Sequence, residues 1–579
     1  MLRAASFFDK IYKLKFESIF KGGNDMSALM EITIGDLLEK QAALYPDQDC
    51  LVSPYLGVRY SYREFNELTD LVARAFMGMG IGKGDKVSIW ASNYPEWMIT
   101  QFATAKMGAV MVTVNTNYKQ FELEYLLKQS DTMTLIMMEG VKDNNYVNHI
   151  YGLCPELKES EPGQLSCERL PFLKNIISLD EEKHPGMYQW NDIFAFADKV
   201  SPEELAARKK ELDIHDVINM QYTSGTTGFP KGVMLTHYNL VNNGMAIGDC
   251  MKLTHEDRLC IPVPLFHCFG CVLGVMAAYT HAASMILIDH FNPLKVMGAI
   301  QSERCTAVHG VPTMFISMLD HPDFKKYDFS TLRTGIMAGS PCPIEFMKRA
   351  MADMNMREIT ITYGQTESSP AITMTSTDDP IEVRVATVGK KIPHVEAKIV
   401  DPETGEDAPF DTQGEIVARG YNLMKGYYKM PEATAQAIDA DGWLHTGDLG
   451  TMDKDGYFKI TGRLKDMIIR GGENIYPREI EEFLYTNAKV RDVQVIGVPD
   501  KRYGEEVLAC IVLKDGEEAT EEEMIEFVKN GLSRFKAPRY VRFVETFPMT
   551  ASGKIQKYKM REWAIEELDL KDAAKIETA

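Results

Sequence analysis

Residues 222–232, with the sequence Tyr-Thr-Ser-Gly-Thr-Thr-Gly-Phe-Pro-Lys-Gly, constrain this chain most strongly. Residues 217–222 before them predict a short buried strand, and residues 233–240 after them begin a helical pattern. Glycines allow the backbone to turn tightly and approach a ligand closely. Successive N–H groups in such a turn form an anion-binding nest, to which Lys231 adds a mobile positive charge. We interpret the segment as a loop that binds the phosphates of a nucleotide.

The neighbours of Lys231 exclude the P-loop. That loop requires Ser or Thr directly after a Gly-Lys pair, whereas Pro230 precedes Lys231 and Gly232 follows it. A flexible linker rich in Gly, Ser and Thr is the alternative, but linkers seldom lie between strand and helix patterns. A phosphate loop of a different kind is therefore the prediction.

Length and charge restrict the class of protein. A chain of 579 residues exceeds one compact core, so at least two domains are expected. The net charge of −20, from 63 basic and 83 acidic residues, argues against a general nucleic-acid binder. Cys268 and Cys271 form a Cys-x-x-Cys pair in an apolar stretch, which we interpret as reduced core thiols. The apolar run 271–288 predicts a core helix and a strand rather than a membrane span. With no signal peptide visible, we expect a cytoplasmic protein.

Helix and strand patterns alternate from about residue 32 to residue 199, which predicts an α/β fold with a largely parallel, doubly wound sheet. We predict three parts. Residues 1–25 are an N-terminal extension, residues 26–464 a large domain of doubly wound sheets, and residues 465–579 a small, mobile α/β domain.

The N-terminal extension, residues 1–25, mixes aromatic residues with lysines. A short amphipathic helix that makes weak contact with a membrane surface is one interpretation, and an import presequence is another. A plain surface extension ahead of Met26 is the alternative that we favour.

Six further segments have chemically distinctive sequences: 261–270, 335–341, 361–367, 443–450, 462–472 and 550–557. In this order, and together with residues 222–232, they resemble the adenylate-forming superfamily. That superfamily comprises acyl-CoA synthetases, luciferases and peptide-synthetase adenylation domains. The likeness covers roughly residues 30–565 and is strongest to fatty- and aryl-acyl-CoA ligases.

The resemblance implies an ATP-dependent acid–CoA ligase that uses Mg²⁺. In a first half-reaction a carboxylate attacks the α-phosphate of ATP, which gives an acyl-adenylate and pyrophosphate. The thiol of CoA then attacks the acyl carbonyl and releases AMP. Such chemistry depends on positioning and charge neutralisation more than on acid–base catalysis.

The resemblance also implies roles for individual residues of the nucleotide site. Thr223, Ser224, Gly225, Thr226, Thr227 and Lys231 are expected at the phosphates, Thr366 at the α-phosphate, Glu367 at Mg²⁺, Gly339, Ser340, Pro341 and Tyr363 around adenine, and Asp448 and Arg463 at the ribose hydroxyls. A carboxylate suits a diol because it only accepts hydrogen bonds. A helix-capping carboxylate is the alternative for Glu367, and a core aromatic is the alternative for Tyr363.

Five further positions follow from the resemblance. Lys554 is expected to stabilise charge during adenylation, and Lys465 to act as the hinge between the domains. Rotation about this hinge would withdraw Lys554 and bring Gly471 and Gly472 to the active site, beside the pantetheine arm of CoA. His267 is expected near the substrate carboxylate, with a core histidine as the alternative.

The acyl pocket is expected around five residues: Phe269, Val308, Gly310, Met337 and Gly364. Acetate-activating relatives carry Trp where Gly364 stands. We therefore expect the absent side chain to open the pocket to a medium-chain, aryl or alicyclic acid. On the same argument, Gly364→Trp would close the pocket.

Alternatives remain for the acceptor and the assembly. An amino-acid-activating module is disfavoured, because His267 cannot replace the Asp that pairs with a substrate ammonium group in such relatives. An adenylating enzyme with a carrier-protein acceptor, or with luciferase-like oxygenation, stays open. The expected partners are a small carboxylic acid and CoA, and a homodimer is one option for the assembly.

Overall fold

The computed structural model describes residues 28–223, 229–339, 344–402, 404–463, 468–475, 477–548 and 557–575. The chain separates into two units, Met1–Glu31 and Ile32–Ala579, and the elements below belong to the second unit. The predicted boundary between residues 464 and 465 stays a prediction.

Two sheets form the centre of the large region, by which we mean residues 32–463. Among the described residues, eight strands lie in the order Gly426–Tyr427, Lys231–Thr236, Val217–Thr223, Val110–Thr113, Lys86–Trp90, Thr132–Met137, Asn175–Ser178 and Tyr188–Gln189. Seven others lie in the order Glu358–Thr360, Thr334–Ile336, Ala307–Val308, Arg258–Ile261, Ser284–Leu287, Asp49–Ser53 and Val58–Ser61. Six strands of each sheet run parallel, from Val217–Thr223 to Tyr188–Gln189 in the first and from Glu358–Thr360 to Asp49–Ser53 in the second. The predicted doubly wound α/β class is therefore confirmed.

Two smaller antiparallel sheets follow. The described strands of one are Thr362–Gly364, Ala371–Met374 and Lys390–Lys391, and those of the other are Val395–Val400, Gly414–Gly420, Leu444–Met452 and Phe458–Arg463. Gly140–Val141 and Asn144–Asn145 form a short ribbon. In the sequence, the strands of the two antiparallel sheets come after Glu358–Thr360, the last parallel strand of the two large sheets.

The C-terminal region, residues 468–575, has its own sheet and core. Its described strands are Ile468–Arg470, Glu473–Ile475, Val490–Asp500, Gly504–Leu513 and Tyr540–Phe543. The helices Pro477–Tyr485 and Glu521–Gly531 contribute Ile480, Leu484, Met524 and Val528 to this core. The expectation of a small α/β domain at this end of the chain is confirmed.

Helices cover the sheets in the periodic segments of the sequence. The α-helices of the large region are Ile34–Leu44, Tyr62–Gly78, Pro95–Met107, Gln120–Gln129, Tyr146–Leu153, Pro202–Lys210, His237–Cys250, Ala277–Thr280, Pro293–Ser302, Pro312–Leu319, Ile344–Asp353, Ile381–Ala386 and Pro431–Ala437, and Lys557–Glu567 follows in the C-terminal region. Single turns of 3₁₀-helix cover Pro155–Glu159, Phe324–Lys326, Thr366–Ser368 and Arg534–Lys536, a longer one covers Trp190–Lys199, and a π-helix covers Phe269–Met276. In the described part of the chain, no helix combines the length and apolar character that a bilayer span requires.

One predicted element is wrong. Residues 233–236 belong to the strand Lys231–Thr236, which pairs antiparallel with Val217–Thr223, and the helix begins only at His237. The Thr236 side chain accepts a hydrogen bond from the Asn239 amide, which fixes that later start. The segment 222–232 therefore connects two strands of a hairpin, rather than a strand and a helix.

Candidate active site

The hairpin brings the two described ends of the phosphate loop together. Thr223 ends one strand and lies opposite Lys231, which begins the other. Ser224, Gly225, Thr226 and Thr227 lie outside the described residues. Antiparallel pairing holds the loop ends at a fixed separation, so the hydroxyl of Thr223 and the ammonium of Lys231 start from one sheet edge.

Glu367 and Lys231 meet at a tyrosine. The Tyr427 hydroxyl donates a hydrogen bond of 2.8 Å to Oε1 of Glu367, and the Thr223 hydroxyl lies 3.4 Å from the same oxygen. The buried Lys231 ammonium lies 4.7 Å from the centroid of the Tyr427 ring, within reach of a cation–π interaction. The Glu367 carboxylate thus accepts from side-chain hydroxyls in this structure, and it is not a helix cap.

Tyr363 and Asp448 contact each other directly. The Tyr363 hydroxyl donates a hydrogen bond of 2.9 Å to Oδ2 of the buried Asp448 carboxylate. Arg463 lies directly opposite Asp448 in the register of the strands Leu444–Met452 and Phe458–Arg463. The backbone therefore brings together the two residues that the sequence analysis assigned to the ribose.

The apolar loop ahead of the π-helix presents His267 to the surface. The imidazole is 41% exposed, which excludes the core-histidine alternative, and its Nε2 lies 3.2 Å from Oε2 of Glu473 in the C-terminal region. Next to it, the Thr366 hydroxyl donates to Sγ of Cys268 at 3.7 Å. Burial raises the pKa of the Cys268 thiol to about 11, so the thiol stays protonated at neutral pH.

Two glycines from different parts of the chain converge on Val311. A Cβ atom on Gly472 would lie 2.9 Å from Cγ1 of Val311, and one on Gly339 would lie 3.1 Å from the same atom. Gly471 and Gly472 have φ values of +59° and +89°, in the left-handed region that glycine tolerates best. The C-terminal region thus approaches the large region through a turn that leaves no room for side chains.

The candidate acyl-pocket residues have different surroundings. Val308 and Met337 are fully buried in the core beside the seven-stranded sheet, and Gly310 forms a parallel bridge with Met337. Phe269 is nearly buried, and its Cδ1 lies 3.8 Å from where a Cβ on Gly339 would be. Phe269 therefore lies beside Gly339, one of the residues that the sequence analysis assigned to adenine.

The expectation about Gly364 requires a correction. A Cβ atom at Gly364 would lie 1.9 Å from the carbonyl oxygen of Pro370 and 3.0 Å from the amide nitrogen of Ile372. A side chain there would collide with the backbone of the neighbouring strand instead of pointing into a pocket. Glycine is needed for strand packing, so Gly364→Trp is expected to disrupt this sheet rather than to shorten an acyl tunnel.

Several assigned residues cannot be located in this way. Ser340, Pro341, Lys465 and Lys554 lie outside the described residues, as do the side chain of Arg463 and the extension 1–25. Their roles remain predictions.

Tyr427 and Glu473 are site residues that the sequence analysis missed. Tyr427 belongs to a two-residue strand, Gly426–Tyr427, that pairs with the phosphate-loop hairpin. An isolated aromatic in so short an element gives no periodic signal. Glu473 directly follows the Gly471–Gly472 pair, so its position next to two predicted site residues could have identified it.

Two family descriptions match the chain. The description AMP-binding enzyme matches residues 38–428, and AMP-binding enzyme C-terminal domain matches residues 479–554. A Bacillus subtilis (strain 168) protein named as acyl-CoA synthetase YngI is 56% identical over 545 residues, which cover 94% of this chain and 99% of that protein. Human medium-chain acyl-CoA ligase ACSF2, a mitochondrial protein, is 43% identical over 93% of this chain and 88% of its own length.

Solved structures of similar proteins agree in fold. The amide bond synthetase McbA from Marinactinospora thermotolerans superposes with a TM-score of 0.74 at 26% identity, over 92% of this chain and 99% of its own. A Mycobacterium tuberculosis fatty acyl CoA synthetase gives a TM-score of 0.63 at 28% identity, with the same coverage. From these matches and the geometry above, the chain belongs to the AMP-binding enzyme family.

Proposed function

We propose that this ATP-dependent acid–CoA ligase activates a medium-chain fatty acid or an aryl or alicyclic acid. The acid becomes an acyl-adenylate and is then transferred to CoA. The observation that carries the proposal is the approach of the C-terminal region to the nucleotide site. There Gly472 faces Val311, and Glu473 faces His267. A side-chain-free turn beside these residues suits a narrow, flexible acceptor such as the pantetheine arm of CoA.

Each polar group has a task in this scheme. The Lys231 ammonium and the Thr223 hydroxyl neutralise and orient the phosphates, and the Asp448 carboxylate accepts hydrogen bonds from the ribose hydroxyls. Tyr363 contributes a ring face to adenine while its hydroxyl reaches Asp448. Lys554 supplies positive charge in the first half-reaction only, and rotation about Lys465 replaces it with the Gly471–Gly472 turn.

Magnesium binding at Glu367 fits the surroundings of this residue. The carboxylate is nearly buried and accepts hydrogen bonds from two neutral hydroxyls, those of Tyr427 and Thr223. Among the described residues no cluster of three potential metal ligands occurs, which is compatible with Mg²⁺ because this ion commonly binds one carboxylate together with substrate phosphates. When bound, the ion would offset the negative charge of the phosphate oxygens.

The size of the acid is supported by similarity and by apolar surroundings. A relative named as a medium-chain acyl-CoA ligase is 43% identical to this chain. Phe269 offers apolar surface near Gly339. Each methylene removed from water contributes about 0.8 kcal/mol, close to a fourfold gain in kcat/KM per carbon until the pocket ends.

The test is pyrophosphate release, measured with and without CoA, for acetate, butyrate, octanoate, palmitate and benzoate. We expect octanoate or benzoate to exceed acetate by more than about 100-fold in kcat/KM, with thioester formed in equal amount. A preference for acetate would overturn the assignment of the acid. Pyrophosphate release without any thioester would overturn CoA as the acceptor and favour an amine or a carrier protein, since one structural relative is an amide bond synthetase.

Location and assembly are further predictions that accompany this function. We expect a cytoplasmic protein in which residues 1–25 are a surface extension, with weak membrane contact by these residues and a homodimer as the alternatives to be tested. Flotation with anionic vesicles, comparing the full chain with a variant that begins at Met26, tests the contact, and light scattering of the same samples tests the dimer.

A further inference from the structure

The turn that carries Asp448 is an irregular segment of its strand. Within Leu444–Met452, residues 446–448 face the single residue Ile416 of the neighbouring strand. Gly447 has a φ of +73°, in the left-handed region, and open space surrounds the position of its absent side chain. Bulges of this kind redirect a side chain next to active sites, but they interrupt the ladder hydrogen bonds that would otherwise hold it.

Glu415 replaces the missing ladder bonds. Its Oε1 accepts a hydrogen bond of 2.9 Å from the Gly447 amide, and its Oε2 lies 2.8 Å from Nδ1 of His445. The adjacent Ile416 carbonyl accepts from the Thr446 hydroxyl at 2.7 Å. The Glu415 residue is only 6% exposed, so these contacts operate away from bulk water.

His445 connects this carboxylate to a second one. Its Nε2 lies 3.4 Å from Oδ2 of Asp439, whose Oδ1 accepts from the Trp443 amide at 2.9 Å. Both ring nitrogens therefore face carboxylate oxygens, which only accept, so the doubly protonated imidazolium satisfies both contacts. Burial favours the neutral ring, but the hydrogen bonds and charges of Glu415 and Asp439 outweigh it and raise the pKa of His445.

The geometry points to Glu415 and His445 as positioning residues that hold the Asp448 carboxylate in place for the ribose of ATP. They act through the turn: Glu415 binds the Gly447 amide, and the Asp448 amide donates to the Thr446 hydroxyl at 3.1 Å. This inference rests on the proposed role of Asp448 at the ribose. It adds that the buried Glu415 carboxylate, on the neighbouring strand, positions Asp448 for its contact with the ribose.

The test compares ATP with 2′,3′-dideoxy-ATP, which lacks the hydroxyls that Asp448 would bind. Glu415→Ala is expected to raise the KM for ATP about tenfold, with kcat changed less than about twofold. The KM for the dideoxy nucleotide should stay within about twofold of the wild-type value. Glu415→Gln keeps a carbonyl oxygen for the Gly447 amide and should restore most of the loss. The matched control is Glu396→Ala, which removes an exposed glutamate that pairs with Arg419 in the same sheet.

A pH profile gives a second readout. As pH rises through the raised pKa of His445, the ring loses its proton and its contacts with Glu415 and Asp439 weaken, so the wild-type KM for ATP should rise. In His445→Gln the KM should be raised at all pH values and should lose this dependence. Thermal unfolding verifies that each variant is folded.

The outcomes separate this inference from the proposed function. If Asp448→Ala leaves the discrimination between the two nucleotides intact, the ribose role of Asp448 is wrong. If Asp448→Ala removes the discrimination but Glu415→Ala affects both nucleotides equally, Glu415 has a general structural role and the inference is overturned. An unchanged pH profile in His445→Gln overturns the part assigned to His445.

Discussion

The Tyr363 hydroxyl reaches Oδ2 of Asp448 at 2.9 Å, so the residues assigned to adenine and to ribose touch each other. This contact orients the carboxylate of Asp448. It also separates two contributions of the tyrosine, the hydroxyl and the ring.

The first prediction separates those contributions. Tyr363→Phe keeps the ring and is expected to raise the KM for ATP less than about threefold, because the ribose hydroxyls would donate to the buried Asp448 carboxylate in place of the lost tyrosine hydroxyl. Tyr363→Ala removes the ring and should raise the KM more than about tenfold. Steady-state kinetics with saturating acid measure both. Equal effects of the two variants would show that the hydroxyl, and not the ring, carries the interaction.

A second prediction concerns magnesium. Glu367→Gln keeps the shape of the side chain and the acceptor for the Tyr427 hydroxyl, but removes the charge. The Mg²⁺ concentration that gives half-maximal pyrophosphate release should increase, and adenylation should slow about 100-fold. Tyr427→Phe is the control, since it removes only the hydrogen bond and should cost a few-fold. An unchanged Mg²⁺ requirement in Glu367→Gln would remove the residue from the metal site.

The third prediction concerns a buried ion cluster between the two regions. The Lys536 ammonium lies 2.6 Å from Oε1 of Glu122 in the large region and 2.7 Å from Oε1 of Glu479 in the C-terminal region. Burial lowers the pKa of Lys536, but the two carboxylates outweigh it and raise the pKa. Lys536→Met would leave two buried carboxylates without their cation, which costs about 3–5 kcal/mol.

Because the cluster holds the arrangement in which Gly472 faces Val311, the Lys536→Met variant should lose thioester formation from supplied acyl-adenylate more than about tenfold. Adenylation should change by less than about threefold. The control is Lys529→Met, which removes an exposed pair with Glu526 and should have no effect. A parallel loss of both half-reactions would contradict a role specific to this arrangement.

The fourth prediction is an acid sensitivity of stability that originates at His309. Its ring is fully buried, donates from Nε2 to the Leu273 carbonyl at 2.9 Å, and accepts at Nδ1 from the Ile336 amide at 3.1 Å. Burial lowers the pKa of His309 to about 4, below the ordinary value of about 6.5. Between about pH 6.5 and pH 4, the unfolded chain therefore binds a proton at His309 that the folded protein does not bind. Stability is fully present above about pH 6.5 and falls as pH decreases towards 4, by about 3 kcal/mol in total.

Thermal unfolding between about pH 7.5 and pH 5 measures this effect. His309→Gln supplies one donor and one acceptor without a titrating group, so its melting temperature should fall less steeply with acid than that of the wild type. Some dependence should remain, because burial also lowers the pKa of His237 to about 4. Identical slopes for the two proteins would place the acid sensitivity elsewhere.

The sequence predicted those parts of the fold that depend on a local, periodic pattern of apolar residues. The strand predicted over residues 217–222 and the strand predicted within the run 271–288 appear as Val217–Thr223 and Ser284–Leu287, because each depends on neighbours in sequence. The strand Lys231–Thr236 was mistaken for the start of a helix. Its four residues 233–236 fit either period, and pairing with a distant strand decides between them.

The candidate site shows the same division. Motif resemblance identified Asp448, Tyr363 and Glu367, and the structure brings Tyr363 to Asp448 and Thr223 to Glu367. The contribution of Tyr427 could not be predicted, since it depends on a two-residue strand joining a hairpin almost 200 residues earlier. The direction of the absent side chain at Gly364 was wrongly inferred, because it depends on backbone torsions that composition does not record.

The contact of Gly472 with Val311 restricts how this protein can vary. A methyl group on Gly472 would meet Cγ1 of Val311 at 2.9 Å, and the φ of +89° already disfavours any other residue. A substitution at 472 alone obstructs the meeting of the two regions, whereas trimming residue 311 to alanine first would remove the steric obstacle and leave only the torsional one. The two positions are therefore expected to change in a fixed historical order, 311 before 472, although 161 residues separate them along the chain.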